Sequence, residues 1–268
     1  MTIGFIGTGN MGGALAIAAA KTDAQIFLCN RTPEKAEALA AQLGCKTATA
    51  QEISEFCDYI FLGVKPQMMG DLLSSLAPTL KDRTTPFVLV SMAAGLTMDT
   101  LRQMADGDYP IIRIMPNTPV AVGSGVILYD ATENATSEAL DLFCEAMAQA
   151  GFVDRLPEAL IDAGSAVSGC GPAFVSMFLE AMADGGVTCG LPRQKALQYA
   201  AHTLLGTAQL LLETGKHPGQ LKDEVCSPGG STIQGVKALE DGSLRSTVIS
   251  AILAAHTRNQ QLGKAESL

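Results

Sequence analysis

Three glycines near the amino terminus have the spacing of a phosphate-binding turn. Gly7, Gly9 and Gly12 form a Gly-x-Gly-x-x-Gly pattern directly behind the apolar run Met1–Ile6 and ahead of the helix-forming run Ala14–Ala20. In such a strand–turn–helix context the first glycine allows a tight turn and the second lets the backbone approach a pyrophosphate. The third lets helix and strand pack closely. The pattern predicts a dinucleotide-binding site.

Asn10 and Met11, between the second and third glycines, open the predicted helix. The N–H groups of a helix start have no intrahelical acceptor and attract anions, so we expect them to face the phosphates. The alternative interpretation is a glycine-rich turn that binds no ligand.

The residues after the second predicted strand, Gln25–Cys29, indicate which dinucleotide binds. NAD sites usually carry Asp or Glu here to hold the ribose 2′-hydroxyl, whereas this chain has Asn30, Arg31 and Thr32. A guanidinium grips a 2′-phosphate with charge-assisted hydrogen bonds, and Thr32 followed by Pro33 resembles a helix start. We therefore expect NADPH to be preferred, with NADH possible. The alternative is that Arg31 is an ordinary solvated surface residue.

Further candidate cofactor ligands follow later strands, because ligands of open α/β sheets bind outside the carboxyl ends of the strands. Val64, Lys65 and Pro66 follow one predicted strand, Ala93 another, and Asn117 a third. Lys65 is predicted to meet ribose, phosphate or a substrate carboxylate, or else to lie in solvent. The Asn117 amide is predicted to bond either the nicotinamide carboxamide or a neighbouring loop.

A second glycine-rich segment in the carboxyl-terminal half is suited to a small anion. Backbone N–H groups and hydroxyls at a helix start can hold a substrate carboxylate without an arginine. An ordinary capped helix is the alternative. The candidate residues are Ser227, Gly229, Gly230, Ser231 and Thr232.

The first half of the chain alternates apolar strands with helical stretches. Continuous apolar runs separated by helices indicate a parallel sheet covered on both faces. We expect a Rossmann-type doubly wound α/β domain over residues 1–157, with one helix at Pro33–Leu43. Beyond the two strands already named, the predicted strands are Tyr59–Val64, Phe87–Ser91, Ile111–Met115, Gly125–Tyr129 and Phe152–Val153.

Residues 158–268 contain no convincing strand and show apolar residues at helical spacing. Long helices are predicted at Arg193–Glu213 and Leu244–Leu262. We expect an all-helical domain that binds substrate and forms a dimer.

Composition narrows the class of protein. The chain has 268 residues and a net charge of −9, which argues against nucleic-acid binding. Hydrophobic residues make up 47% and charged residues 17%, a balance typical of a subunit that buries apolar surface in an oligomer. No run approaches the roughly 18–20 consecutive apolar residues of a membrane-spanning helix, so no membrane association is expected.

The reactive residue types point to a reducing compartment and to cofactor chemistry. The seven cysteines are scattered and form no Cys-x-x-Cys pair, so we expect a reducing cytoplasm and no disulfide framework. The three histidines are not paired on a helix turn, so no metal site is expected. No secretory leader is expected either. There is no Ser-His-Asp, Cys-His or paired-carboxylate pattern. Hydride transfer to an imine fits, because a protonated C=N is already electrophilic.

The sequence resembles the pyrroline-5-carboxylate reductase family over nearly its whole length. The residues that carry the resemblance are Gly4–Gly12, Asn30–Thr32, Val64–Pro66, Met115–Pro119, Gly169–Ala173, Ala183–Val187, Gly190–Arg193, His217–Asp223 and Ser227–Thr232. The resemblance implies NAD(P)H-dependent reduction of the cyclic imine Δ1-pyrroline-5-carboxylate to L-proline, the final step of proline biosynthesis. It also implies interleaved helical dimers that assemble into larger rings, commonly decamers.

By the same resemblance, the segment Ser227–Thr232 holds the substrate carboxylate and the Thr232 hydroxyl faces the imine nitrogen. Asn30, Arg31 and Thr32 match the 2′-phosphate pocket. Ser231 and Cys170 depart from the residues most frequent in the family, and Ser231 could tune carboxylate affinity.

Two other functions remain open at this point. A 3-hydroxyacid dehydrogenase on the same architecture would use a lysine of the helical domain as its acid–base group; Lys195, Lys216, Lys222 and Lys237 are available there. A dinucleotide-sensing protein without turnover is the alternative outside enzymes.

Overall fold

A computed structural model describes residues 1–265, with side chains described to residue 262. These residues form two compact units. The first contains residues 1–170 and the end of the last helix from Ala255 onward, and the second contains residues 171–254. The last three residues of the predicted second domain, 266–268, lie outside the described residues.

An eight-stranded sheet forms the centre of the first unit. Its order is β3-β2-β1-β4-β5-β6-β7-β8, and the first six strands reproduce the order of a doubly wound dinucleotide-binding fold. Successive strands are added outward to one side of β1 up to β3, and then to the other side from β4 onward. Such folds bind ligands at this switch point between β1 and β4. The strands are β1 Thr2–Ile6, β2 Gln25–Cys29, β3 Lys46–Thr47, β4 Tyr59–Leu62, β5 Val88–Ser91, β6 Ile111–Pro116, β7 Gly125–Ala131 and β8 Gly151–Arg155.

Helices cover both faces of this sheet and produce two separate apolar cores. On one face Phe5, Phe61 and Phe143 pack as a chain of rings, with centroids 4.5 and 6.4 Å apart. On the other face Ile60 and Leu73 belong to the second core. The helices are α1 Asn10–Ala19, α2 Pro33–Leu43, α3 Ala50–Phe56, α4 Met69–Asp82, α5 Met98–Ala105, α6 Ser137–Met147 and α7 Glu158–Ser168.

The predicted doubly wound fold is confirmed, with differences in detail. The strand predicted at Tyr59–Val64 ends at Leu62. The sequence pattern missed β3, because Lys46 and Thr47 are both exposed and give no apolar signal. The sheet is also not wholly parallel, since β6 and β7 pair antiparallel. Only a short 3₁₀ helix, Thr118–Val122, connects them, and a parallel crossover needs a dozen or more residues.

A buried ion pair fastens α7 to the sheet. The Arg113 side chain on β6 is only 4% exposed, and its Nη1 lies 3.0 Å from Glu158 Oε1. Its Nη2 lies 3.5 Å from Asp162 Oδ1. The Glu158 carboxylate also accepts a 2.8 Å hydrogen bond from the Met98 N–H at the start of α5. These contacts explain why the first compact unit continues past residue 157 to Cys170.

The second unit is entirely helical among its described residues. The predicted helices at Arg193–Glu213 and Leu244–Leu262 are confirmed and each extends slightly further. The helices are α8 Gly171–Thr188, α9 Arg193–Thr214, α10 Pro218–Glu224, α11 Ser231–Asp241 and α12 Leu244–Ala265, the last of which continues into the first unit.

Within one chain the second unit has almost no apolar core. Its buried apolar residues, among those that the structure describes, are Ala183, Ala196 and Ala200. Large apolar side chains are exposed instead, including Met177, Leu205 and Leu212, the last at 84%. Exposed apolar surface on this scale marks an interaction surface.

The consecutive helices α7 and α8 are the most apolar part of this region. By length and composition alone, residues Glu158–Thr188 qualify as a possible membrane span, and 11% of the apolar window is buried. No consecutive apolar run in this segment reaches the length of a membrane span, because polar residues such as Ser168 and Ser176 and the acidic Asp162 and Glu180 interrupt it. A helix that a second subunit covers has the same composition.

Candidate cofactor and substrate sites

The glycine turn is held by close contact between backbone segments. After β1, the Gly7 N–H donates a 2.8 Å hydrogen bond to the Cys29 carbonyl at the end of β2. Gly7 has a φ of +103°, which favours glycine, and a Cβ there would lie 2.6 Å from the Gly63 carbonyl oxygen. A Cβ on Gly12 would lie 2.2 Å from the Gly7 carbonyl oxygen. Side chains are therefore excluded at both positions.

Gly63 is a residue of this turn that the sequence analysis did not identify. It follows β4, and its N–H donates a 2.8 Å hydrogen bond to the Ile6 carbonyl at the end of β1. A Cβ on Gly63 would lie 2.4 Å from the Gly7 carbonyl oxygen. The sequence feature that could have identified Gly63 is a glycine near the end of an apolar strand, because such a glycine often marks a close approach of another backbone segment.

The start of α1 is free to bind an anion. Gly9 is the N-cap, no side chain caps the helix, and its first turn holds no acidic residue. The N–H groups of Asn10, Met11 and Gly12 therefore keep the positive end of the helix open. Asn10 is exposed and Met11 half-buried. A Cβ on Gly9 would meet no atom within 4 Å, so only a ligand would require glycine there.

The segment after β2 has the geometry expected for a 2′-phosphate site. Thr32 is the N-cap of α2 and Pro33 its first residue, as predicted, but the Thr32 hydroxyl does not cap the helix. Arg31 is exposed and makes no ion pair within the described part of the chain. The Asn30 side chain accepts a hydrogen bond from the Thr8 N–H at 3.2 Å and donates one to the Thr32 carbonyl at 3.1 Å.

A cavity of about 370 Å³ opens beside Asn30 at the ends of β2 and β3. Two of its groups have shifted pKa values. Hydrogen bonds from the Thr49 N–H and hydroxyl lower the pKa of Glu52, within the capping box of α3. Burial raises the pKa of the Cys29 thiol. The cavity is lined by Leu28, Cys29, Asn30, Pro33, Ala36, Glu37, Thr47, Ala48, Thr49 and Glu52.

The later cofactor candidates lie at the same edge of the sheet, after β4 and β5. Lys65 is exposed between half-buried Val64 and Pro66, and its ammonium makes no ion pair with any described residue. Ala93 is buried, and its N–H donates to the Ser91 hydroxyl at 3.3 Å. Direct contact of these residues with a cofactor stays a prediction.

Asn117 makes the loop contact that was one of its two predicted roles. Its side chain is buried, Oδ1 accepts a 2.8 Å hydrogen bond from the Val126 N–H, and Nδ2 donates a 2.9 Å hydrogen bond to the Ser168 carbonyl. Asn117 thus joins β7 to the end of α7. A contact with the nicotinamide stays a prediction.

In the second unit, the candidate substrate segment precedes α11. Gly230 is the N-cap without any side-chain hydrogen bond, and Gly229 has a φ of +69°. The Gly230 N–H donates a 3.0 Å hydrogen bond to the Ser227 carbonyl, which closes a turn. Ser231 and Thr232 are exposed at the start of α11. The segment therefore presents an uncapped helix start flanked by hydroxyls, as an anion site requires.

Most lysines that a hydroxyacid dehydrogenase could use are already paired. The Lys216 ammonium lies 2.8 Å from the Glu224 carboxylate, Lys222 lies 2.8 Å from Asp223, and Lys237 pairs with Asp241.

No group of three or more metal-ligating side chains occurs among the described residues.

Replacing Gly9 by alanine should separate ligand contact from folding. We expect the unfolding midpoint of the free protein to fall by no more than about 2–4 °C, since a Cβ there meets no protein atom. The dissociation constants of NADPH and NADH should both rise about tenfold or more, because both share the pyrophosphate. Calorimetric titration of both cofactors measures this. Unchanged affinities would contradict a pyrophosphate at α1.

Models of known protein families match residues in each of the two units. A family model described as pyrroline-5-carboxylate reductase dimerisation matches residues 158–262. A model described as NADP oxidoreductase, coenzyme F420-dependent, matches residues 2–95. Pyrroline-5-carboxylate reductase of Escherichia coli is 40% identical over 98% of each chain. That of Methanosarcina acetivorans is 38% identical over 98% of each.

Solved structures show the same relation. Pyrroline carboxylate reductase of Plasmodium falciparum, with NADP bound, has a TM-score of 0.85 and 30% identity over 98% of each chain. The pyrroline-5-carboxylate reductase of Coxiella burnetii has a TM-score of 0.90 and 30% identity over 97% of each. These relations show that the chain belongs to the pyrroline-5-carboxylate reductase family.

Proposed function

We propose that this protein reduces Δ1-pyrroline-5-carboxylate to L-proline with NADPH as the preferred hydride donor, the final step of proline biosynthesis. The observation that carries the proposal is the relation to pyrroline-5-carboxylate reductases over 98% of both chains. Three features support it. The uncapped start of α1 suits a pyrophosphate, and the uncapped start of α11 suits a carboxylate. Arg31, which makes no ion pair with any described residue, suits a 2′-phosphate.

Each group of site residues has a separate role in this reaction. Gly7, Gly9 and Gly12 shape the pyrophosphate turn, and Arg31 and Thr32 receive the 2′-phosphate. The turn at Ser227 to Gly230 and the first residues of α11 hold the substrate carboxylate. When bound, NADPH would supply a hydride for the carbon of the protonated imine, whose nitrogen would gain the C=N electron pair and keep its proton. The Thr232 hydroxyl hydrogen-bonds that nitrogen and orients the ring.

The exposed apolar side chains of the second unit are covered by a second copy of the chain rather than by lipid. Its three buried alanines give too little core for a lone unit, and the match to a dimerisation model supports this. Assembly of dimers into a decamer and a cytoplasmic location stay predictions; seven free cysteines are compatible with a reducing compartment.

The reaction is tested by mixing the purified protein with Δ1-pyrroline-5-carboxylate and NADPH, then with NADH. Loss of nicotinamide absorbance with proline as the product is expected. Absence of turnover with both cofactors would exclude this reductase activity. A related imine or a 3-hydroxyacid would then be the next substrate to test, and a dinucleotide-sensing protein would be the remaining alternative.

Replacing Arg31 by alanine should raise the KM for NADPH far more than that for NADH, because only NADPH carries the 2′-phosphate. Loss of a charge-assisted hydrogen bond corresponds to about 1.5–3 kcal/mol, or roughly tenfold and more. Steady-state kinetics with each cofactor provide the measurement. Equal effects on both cofactors would refute the assignment of Arg31.

Replacing Thr232 by alanine should lower kcat roughly three- to thirtyfold, the size expected for one hydrogen bond to the reacting nitrogen. Cofactor affinity should be unchanged. Thr232→Ser keeps the hydroxyl and serves as the matched control, so it should retain most of the activity. If kcat of Thr232→Ala stayed at the parent value, positioning and the charge of the substrate would account for catalysis without this residue.

A further inference from the structure

The Asn30 side chain connects two segments that a bound NADPH would contact at the same time. Its Oδ1 accepts a hydrogen bond from the Thr8 N–H, which lies inside the glycine turn, at 3.2 Å. Its Nδ2 donates a hydrogen bond to the carbonyl of Thr32, the N-cap of α2, at 3.1 Å. One amide therefore spans from the pyrophosphate-binding turn to the segment that carries Arg31.

Among the described residues, no other side chain supports the glycine turn in a comparable way. The Thr8 hydroxyl is buried and has no hydrogen-bond partner among the described residues. The bond from the Thr8 N–H to Asn30 is thus the side-chain contact that fixes the turn between Gly7 and Gly9. An asparagine suits this role because its amide both accepts and donates, whereas an aspartate only accepts.

We propose that Asn30 is a positioning residue that fixes the pyrophosphate turn relative to the 2′-phosphate segment, rather than a ligand of the 2′-phosphate. This differs from the role that the family resemblance gave it. NADH and NADPH share the pyrophosphate, so the contact with Thr8 supports binding of both cofactors. Arg31, by contrast, acts on NADPH alone.

Calorimetric titration of Asn30→Ala with NADPH and with NADH tests this proposal independently of turnover. We expect both dissociation constants to rise by a similar factor, about tenfold, as for the loss of a pair of neutral hydrogen bonds. Arg31→Ala, measured in parallel, should weaken NADPH selectively. A loss confined to NADPH in Asn30→Ala would make Asn30 a 2′-phosphate ligand, and no loss with either cofactor would also overturn the proposal.

Asn134 offers a matched control. Its Oδ1 accepts a 2.6 Å hydrogen bond from the Thr132 hydroxyl, and its Nδ2 donates a 3.0 Å hydrogen bond to the Asp108 carbonyl. It is half-buried like Asn30 but follows β7, whereas Asn30 follows β2 near the other end of the strand order. The Asn134 Oδ1 also accepts a 3.3 Å hydrogen bond from Arg102 Nη2. Asn134→Ala should therefore cost at least as much thermal stability as Asn30→Ala and leave both dissociation constants within about twofold. Weaker cofactor binding in this variant would show that general loosening explains the Asn30 result.

Asn30→Asp tests the positioning role of Asn30 even if Asn30→Ala fails to fold. The carboxylate can still accept from the Thr8 N–H but cannot donate to the Thr32 carbonyl. NAD-specific sites carry an acid at this position, where it binds the ribose hydroxyl. If residue 30 faced the ribose, NADH affinity would rise or stay unchanged. The positioning role predicts that NADH affinity falls, by about three- to tenfold.

Discussion

The contact between three backbone segments at Gly7, Gly12 and Gly63 determines the rest of the cofactor site. The ends of β1 and β4 and the first turn of α1 approach so closely that a Cβ at any of these positions would lie within 2.6 Å of a backbone atom. This contact places the start of α1 at the switch point in strand order between β1 and β4. The free N–H groups of the helix therefore face the place where a pyrophosphate is expected.

In the proposed sites of both units, backbone N–H groups are the main ligand-binding groups. The starts of α1 and α11 lack side-chain caps, and each follows a glycine-containing turn. An anion can take the place of the missing cap, because it accepts from the same N–H groups and meets the positive end of the helix. Few charged side chains are then required, and the proposed role of Arg31 is to bind the 2′-phosphate, the group that distinguishes NADPH from NADH. Reduction of an electrophilic imine needs orientation more than an acid–base residue.

The sequence allowed the fold, the glycine turn and both long helices to be predicted, because each has a strong local pattern. β3 was missed since Lys46 and Thr47 are exposed, and the antiparallel pairing of β7 depends on a connection whose geometry no apolar pattern reports. The apolar pattern places Gly63 within a strand, because the contact that requires glycine there involves Gly7, which is distant in sequence. The exposed apolar faces of α8 and α9 depend on a partner chain, so hydrophobic spacing alone could not distinguish them from a core.

The most direct test of this account is the cofactor affinity of Gly63→Ala, measured by calorimetric titration with NADPH and NADH. A Cβ there would lie 2.4 Å from the Gly7 carbonyl oxygen, so the turn must shift although no new side chain enters the α1 start. We expect both dissociation constants to rise about tenfold or more. Gly70→Ala, where a Cβ meets no atom within 4 Å, should bind as the parent does. Parent-like affinity in a folded Gly63→Ala protein would contradict the account.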